Sequence, residues 1–142
     1  MKIMKNFLDG IRVLDFTQYI SGPYCTKLFA TLGADVLKIE KPITGDPLRH
    51  QPPFANQTMT SETSAWFLYL NTSKKSICID IKTPEGRNTI LKMLPNIDLI
   101  VENFSPGTMK KLGLDYETVS AINPSIVMTS ISNYGQSGPY RD

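Results

Sequence analysis

Residues 8–42 read LDGIRVLDFTQYISGPYCTKLFATLGADVLKIEKP, and their hydrophobic period changes twice. Short apolar runs over 11–16 and 36–39 are typical of buried strands. Between them lies a helical pattern, with Ser21 as its predicted N-cap and Gly33 as its predicted stop. A strand, a helix and a strand of this length join as a parallel, right-handed crossover. The stretch therefore predicts an α/β fold, a mostly parallel sheet with helices on both faces. The inward stripe of the helix is predicted to consist of Cys25, Leu28, Phe29 and Leu32.

The polar loop 18–22 follows the first predicted strand and leads into the helix. It should therefore lie at the carboxyl edge of the sheet and against a helix N-terminus, where N–H groups favour an anion. Gly22 stands alone here, whereas the dinucleotide fingerprint needs two glycines one residue apart. The loop predicts a ligand position and disfavours a nicotinamide or flavin site.

The composition indicates one globular domain, since 41% of the 142 residues are hydrophobic. The net charge of +2 offers no concentrated basic face, so we expect no nucleic-acid partner. The first seven residues lead into no uninterrupted apolar run, so we expect no signal peptide, no membrane contact and a cytoplasmic protein. Cys25 and Cys78 are predicted as buried, reduced thiols. His50 is the only histidine and a solvated loop residue by expectation, so no metal site is predicted.

The rest of the chain continues the alternation of strands and helices. Strands are predicted over 76–81, 98–101 and 125–132, and helices over 64–71, 83–95, 105–112 and 115–122. Thr83, Ser105 and Asp115 are the predicted N-caps of the last three helices. In the first of these four helices, Trp66, Phe67 and Leu70 are expected to cover a sheet face.

Two further segments carry polar groups to the same edge of the sheet. The loop 41–64 has no periodic pattern, and it starts at the carboxyl end of the second strand. After the fourth strand, Asn103 can donate and accept hydrogen bonds and Phe104 offers a flat apolar face, a combination that suits a nucleotide. After the fifth strand the sequence stops without a helix that would cover the sheet, which predicts a truncated polypeptide.

Six segments taken together resemble the amino-terminal part of the family III CoA-transferases, of the CaiB/BaiF type. They are LDGIRVLD at 8–15, GADVLKIE at 33–40, Asn71 with KKSI at 74–77, Asp80 with KTPEG at 82–86, VENFSPG at 101–107 and YGQSGP at 134–139. The resemblance implies an enzyme that moves coenzyme A from an acyl-CoA to a carboxylic acid acceptor. It also implies a homodimer of interlocked subunits, whose Rossmann-like large domain contains residues 1–142 as its amino-terminal CoA-binding portion.

The resemblance also implies which residues form the site. The expected CoA contacts are Ile20, Ser21, Lys41, Ile79, Asp80, Ile81, Lys82, Asn103, Phe104, Ser105 and Lys111. The expected substrate-loop residues are Gln18, Tyr19, Gly135 and Gln136. Relatives often carry arginine where Lys41 and Lys111 stand, and lysine meets phosphate as a point charge.

The family's nucleophile is an aspartate, which by position belongs to a segment beyond Asp142. Asp142 itself matches the tail of the glycine-rich loop motif, so we expect no catalytic residue in this chain and no activity from it alone. Two alternatives stay open, an acyl-CoA racemase or epimerase of the same superfamily and a non-catalytic CoA-binding fragment. The racemases use a histidine just before the glycine-rich loop, and no histidine follows His50, which favours the transferase. The acyl donor and acceptor stay open.

Overall fold

The computed structural model describes residues 6–55 and 58–141, and in it five strands form one parallel sheet in the order β3-β2-β1-β4-β5. The strands are β1 (Arg12–Asp15), β2 (Asp35–Glu40), β3 (Lys75–Cys78), β4 (Leu99–Glu102) and β5 (Val127–Ser130). The α/β fold with a parallel sheet is thereby confirmed. The expectations for residues 1–5 and for Asp142 lie outside the described residues.

Within the described part of the chain, five helices connect and flank these strands. They are α1 (Ser21–Thr31), α2 (Ala65–Leu70), α3 (Pro84–Met93), α4 (Thr108–Lys111) and α5 (Tyr116–Ile122), with 3-10 turns at Pro47–His50 and Leu94–Asn96. The Thr83 side chain accepts a hydrogen bond from the Gly86 N–H, which confirms it as the cap of α3. Among the described residues no helix has the length and apolarity that a membrane crossing requires.

Side chains alternate along the central strand and build a core on each face of the sheet. Val13 packs with Ala30 of α1 on one face, while Leu14 and Phe16 pack with Ile90 of α3 on the other. Each fully buried side chain of this kind contributes roughly 1.5–3 kcal/mol. The two cores place helices on both faces of the sheet, as the sequence predicts.

The buried face of α1 differs from the predicted stripe. Leu28 and Leu32 are 45% and 48% exposed, whereas Gly22, Thr26 and Ala30 are buried. A Cβ at Gly22 would lie 2.3 Å from the Cβ of Thr17, so only a residue without a side chain lets the helix come this close to the loop. Close approach to the sheet selects small residues for the inner face and leaves the leucines outside.

The third strand is shorter and more exposed than predicted. It covers Lys75–Cys78, at the edge of the sheet, and each of its four residues is exposed. The expectation of two buried thiols is therefore wrong for Cys78, which is exposed, while Cys25 is partly buried. An alternating pattern predicts a strand but does not distinguish an edge strand from a covered one.

Two predicted caps are wrong because the helices begin elsewhere. Ser21 is the first residue of α1, and the N-cap is Ile20, which makes no side-chain cap hydrogen bond. The helix expected from Ser105 begins only at Thr108, because Gly107 adopts a left-handed backbone with φ of 79°. The remaining predicted cap, Asp115, is the N-cap residue of α5, but its side chain makes no capping hydrogen bond.

The long loop after β2 folds back on itself around a small apolar cluster. Leu48 of the 3-10 turn packs with Phe67 and Leu70 of α2. The Arg49 guanidinium lies 3.7 Å from the centroid of the Phe67 ring, a cation–π contact. Trp66 is 45% exposed, so the expectation that it covers a sheet face is wrong.

Candidate functional site

The carboxyl edge of the sheet has a topological switch point between β1 and β4. These strands are neighbours, but the chain leaves β1 toward β2 on one side and leaves β4 toward β5 on the other. The connections that follow β1 and β4 therefore run in opposite directions along the sheet. In open α/β sheets such a switch point is the position where ligands bind.

A crevice of about 330 Å³, which we call the central crevice, lies at this edge. It collects residues from the ends of four strands. Those expected as site residues are Gln18, Lys41, Ile79, Asp80, Ile81, Lys82 and Phe104, and they are joined by Phe16, Ile39, Glu40, Thr108 and Leu112. The structure thus brings together about half of the residues that the family resemblance implies.

Two further crevices share lining residues with the central crevice, and we call the three together the groove. The outer crevice, of about 660 Å³, is lined by Ser21, Asn103, Phe104 and Ser105 together with Tyr134 and other residues of the last described segment. Phe104 lines both crevices, so they meet at this residue. On the other side, Lys111 lines a crevice of about 390 Å³ that shares Ile81 and Lys82 with the central one.

Four of the expected site residues lie outside this groove. Tyr19 and Ile20 are 55% and 54% exposed and line none of the three crevices. Gly135 is exposed and also stands apart from them. Gln136 lines a fourth crevice, of about 490 Å³, which shares Ser105 and Arg141 with the outer crevice. The structure therefore does not bring the glycine-rich loop into contact with the central crevice.

The groove carries positive charge at its rim. Lys41, Lys82 and Lys111 are exposed and border the crevices that they line. An ammonium group on a flexible side chain meets phosphate as a point charge. The one expected site residue of opposite charge is Asp80, which lies at the central crevice.

A buried ion pair beside the first loop was not predicted from the sequence. The Lys74 ammonium lies 2.9 Å from Asp15 Oδ2, and it donates to the Pro23 carbonyl and to Asn71 Oδ1, each at 2.9 Å. Burial lowers the pKa of Lys74 to about 8, and the Asp15 carboxylate opposes this shift. The available signal was an aspartate inside an apolar strand, because a buried carboxylate needs donors.

A second set of buried charges fixes the chain on either side of Lys41. Arg49 donates two hydrogen bonds to Glu40, from Nε at 2.7 Å and from Nη2 at 2.7 Å. Burial raises the pKa of Glu40, but the hydrogen bonds from Arg49 and from the Asp46 N–H outweigh it and hold that pKa at about 2. Lys38 pairs with Asp46 at 2.8 Å. The residue before Lys41 is therefore rigidly held.

The loops after β1 and β4 are joined by a pair of hydrogen bonds. Asn103 Oδ1 accepts from the Gln18 N–H at 2.8 Å, and Asn103 Nδ2 donates to the Gln18 carbonyl oxygen at 2.8 Å. This contact was also missed, because it connects residues 85 positions apart.

The single histidine lies away from these groups. The His50 ring Nε2 is 2.9 Å from the Thr44 carbonyl oxygen, within the loop after β2. Across residues 6–55 and 58–141, no three histidine, cysteine, aspartate or glutamate side chains gather as metal ligands would.

Comparison with known proteins agrees with this architecture. A family model described as CoA-transferase family III matches residues 8–142. The chain is 41% identical over 137 residues to succinyl-CoA–D-citramalate CoA-transferase of Chloroflexus aurantiacus, covering 95% of this chain and 33% of that protein. It is 42% identical over 139 residues to formyl-CoA:oxalate CoA-transferase of Rhodopseudomonas palustris, covering 98% of this chain and 32% of that protein.

Among solved structures, a CaiB/BaiF family protein from Brucella suis superposes with a TM-score of 0.88 and 37% identity, covering 97% of this chain and 36% of that chain. The chain spans about a third of the length of the curated relatives it matches. With a match over residues 8–142 and a shared fold, the chain belongs to CoA-transferase family III.

Proposed function

We propose that this chain forms part of the coenzyme A site of an acyl-CoA:carboxylate CoA-transferase. The observation that carries the proposal is the groove at the carboxyl edge, which collects expected site residues from the ends of four strands. The names of the matched relatives, which are CoA-transferases for different acids, support the class of reaction. We further propose that the enzyme is a cytoplasmic homodimer.

In this proposal, each part of coenzyme A would meet a suitable group along the groove. The phosphates would meet the exposed ammonium groups of Lys41, Lys82 and Lys111. The adenine ring would lie against apolar side chains such as Phe104 and Ile81. The Gln18 side chain, at the end of β1, would be nearest to the acyl end among the expected substrate-loop residues.

The chemistry would be completed by an aspartate outside residues 1–142. In this scheme its carboxylate attacks the acyl-CoA carbonyl, which gives a mixed anhydride and releases the CoA thiolate. The thiolate then attacks the aspartyl carbonyl, so that an aspartyl thioester forms and the first acid leaves. The acceptor carboxylate then attacks the aspartyl thioester, which gives a second mixed anhydride and again releases the CoA thiolate. The thiolate attacks the acceptor's carbonyl in this anhydride, so that the new acyl-CoA forms and the aspartate is regenerated. This chain would hold and orient the CoA through these steps.

Calorimetric titration of the purified chain with CoA tests the binding part of the proposal. We expect saturable binding, weakened roughly five- to tenfold by Lys41→Ala or Lys111→Ala, because each removes a charge-assisted contact at an exposed site. The matched control is Lys92→Ala, since Lys92 is an exposed lysine in the last turn of α3, at the opposite edge of the sheet. Absence of binding at millimolar CoA, or equal loss in the control, would contradict the proposal.

An activity assay tests the proposed place of the nucleophile. The purified chain, incubated with an acyl-CoA and a carboxylic acid, should form no new acyl-CoA. Measurable CoA transfer by these 142 residues would overturn the proposal that the aspartate lies elsewhere.

A further inference from the structure

The loop after β1 is held by side chains from three different elements. Asp15 Oδ1 accepts hydrogen bonds from the N–H and the hydroxyl of Thr17. The buried Lys38 ammonium donates to the Thr17 carbonyl oxygen at 2.7 Å. The Asn103 side-chain amide hydrogen-bonds to both the N–H and the carbonyl oxygen of Gln18, at 2.8 Å each. Two consecutive residues of the loop therefore have their backbone fixed from outside the loop.

The residue that follows has an unfavourable backbone conformation. Tyr19 has a φ of 63°, in the left-handed region that a residue with a Cβ rarely adopts. Tyr19 is 55% exposed, so it is not part of the buried core. A strained conformation persists only where the surroundings over-determine it. The backbone hydrogen bonds to Thr17 and Gln18 are contacts of this kind, directly before Tyr19.

Asn103 differs from the other two anchors because it belongs to the loop after β4 and holds Gln18, whereas the other two hold Thr17. It lies at the end of β4 and lines the outer crevice, while Gln18 lines the central crevice. Its carboxamide matches the backbone donor and acceptor of one residue, Gln18, in the way that a neighbouring strand would. One side chain thus sets the distance between the two loops that border the groove.

We infer that Asn103 is a positioning residue, which acts on the bound ligand through the backbone of Gln18 and Tyr19. The identity of the ligand, CoA, rests on the proposed function, whereas the role of Asn103 in holding the loop does not. Asn103 fixes the left-handed turn at Tyr19 and with it the start of α1, where Ile20 and Ser21 follow. Without the carboxamide, Tyr19 relaxes to an ordinary conformation and the loop shifts at the groove.

A double-mutant cycle separates this role from direct contact with the ligand. Asn103→Ala should weaken CoA binding roughly tenfold, the effect of losing about one net hydrogen bond. Tyr19→Gly should reduce that loss, because glycine adopts positive φ without external support. If Asn103 touched the ligand directly, the loss would be the same in both backgrounds. Asn103→Asp, which keeps the acceptor for the Gln18 N–H but not the donor to its carbonyl, gives a second variant should the alanine variant fold poorly.

Amide hydrogen exchange gives a readout that needs no ligand. The Gln18 N–H should exchange slowly in the wild-type chain and roughly tenfold faster in Asn103→Ala, at unchanged circular dichroism. Ser105→Ala, two positions away in the same crevice and outside the hydrogen-bond pair, should leave this rate unchanged.

The outcomes decide the two proposals separately. Faster Gln18 exchange together with a smaller loss in the Tyr19→Gly background supports the inference. Unchanged exchange in Asn103→Ala, or an equal loss of affinity in both backgrounds, overturns it. If the wild-type chain binds no CoA, the proposed function fails, and the exchange rate alone then decides whether Asn103 fixes the loop.

Discussion

Replacement of Glu40 by glutamine tests the buried charges beside the candidate site. Glu40 is 3% exposed and receives two hydrogen bonds from Arg49 and one from the Asp46 N–H. Glutamine keeps the size of the side chain but removes the charge that holds the guanidinium. It also removes the carboxyl group itself, whose pKa is lowered to about 2 in the folded chain.

The magnitude follows from that pKa. The folded value of about 2 lies below the ordinary value of 4.5, so the carboxylate is stabilised by folding. At about 1.4 kcal/mol per pKa unit, the ionised group contributes about 3 kcal/mol to the free energy of unfolding at neutral pH. Because the pKa is depressed, this contribution is complete above pH 4.5 and is lost as the pH falls through 2.

Urea unfolding at pH 7 and near pH 2, followed by circular dichroism, measures the effect. Glu40→Gln should lower the free energy of unfolding by about 3 kcal/mol at pH 7, and the difference from wild type should become small near pH 2. The control is Glu62→Gln, which removes the exposed partner of the same Arg49 and should change stability by less than about 1 kcal/mol. A difference that is absent at pH 7, or that persists unchanged at low pH, would show that the ionised Glu40 carboxylate does not stabilise the fold.

Three further perturbations follow from the buried contacts and the exposed thiol. Lys74→Met leaves the Asp15 carboxylate buried without its cation and should lower the free energy of unfolding in urea by about 3–5 kcal/mol. Asp15→Asn in the same chain should restore part of this loss, and an unchanged unfolding midpoint in Lys74→Met would contradict the expectation. Gly86→Ala should lower the melting temperature, since its Cβ would lie 2.0 Å from a backbone carbonyl oxygen, and unchanged stability would show that the helix can shift at no cost. Iodoacetamide should modify the exposed Cys78 before Cys25, whose thiol pKa is raised by burial and then by Asp15; mass spectrometry would show the opposite order if this is wrong.

The sheet could be predicted from the sequence because its signal is local. The change from strand to helix period around 8–42 defines a parallel crossover, and the carboxyl ends of parallel strands meet at one edge. Gln18, Lys41 and Phe104 follow three different strands, so their proximity at the central crevice could be predicted without knowing where their side chains lie. About half of the expected site residues could be placed at one crevice in this way.

The rest depends on contacts that periodicity does not encode. The inner face of α1 is set by close approach of Gly22 and by the Thr26 hydroxyl, which donates to Asp15 at 2.6 Å, not by its leucines. The partner of Asp15 is 59 positions away, at Lys74, and only the folded chain brings them together. The glycine-rich loop at Gly135 follows a strand end as predicted, yet it lies apart from the central crevice.

The most direct test of the central claim is a titration of the ¹⁵N-labelled chain with CoA, followed by amide chemical shifts. The shifted amides should concentrate at the carboxyl edge, among them those of Gln18, Lys41, Ile81 and Phe104. The amide of Lys92, at the far end of α3, should not move. Shifts confined to the opposite edge of the sheet, or no shifts at millimolar CoA, would contradict the claim that this groove holds coenzyme A.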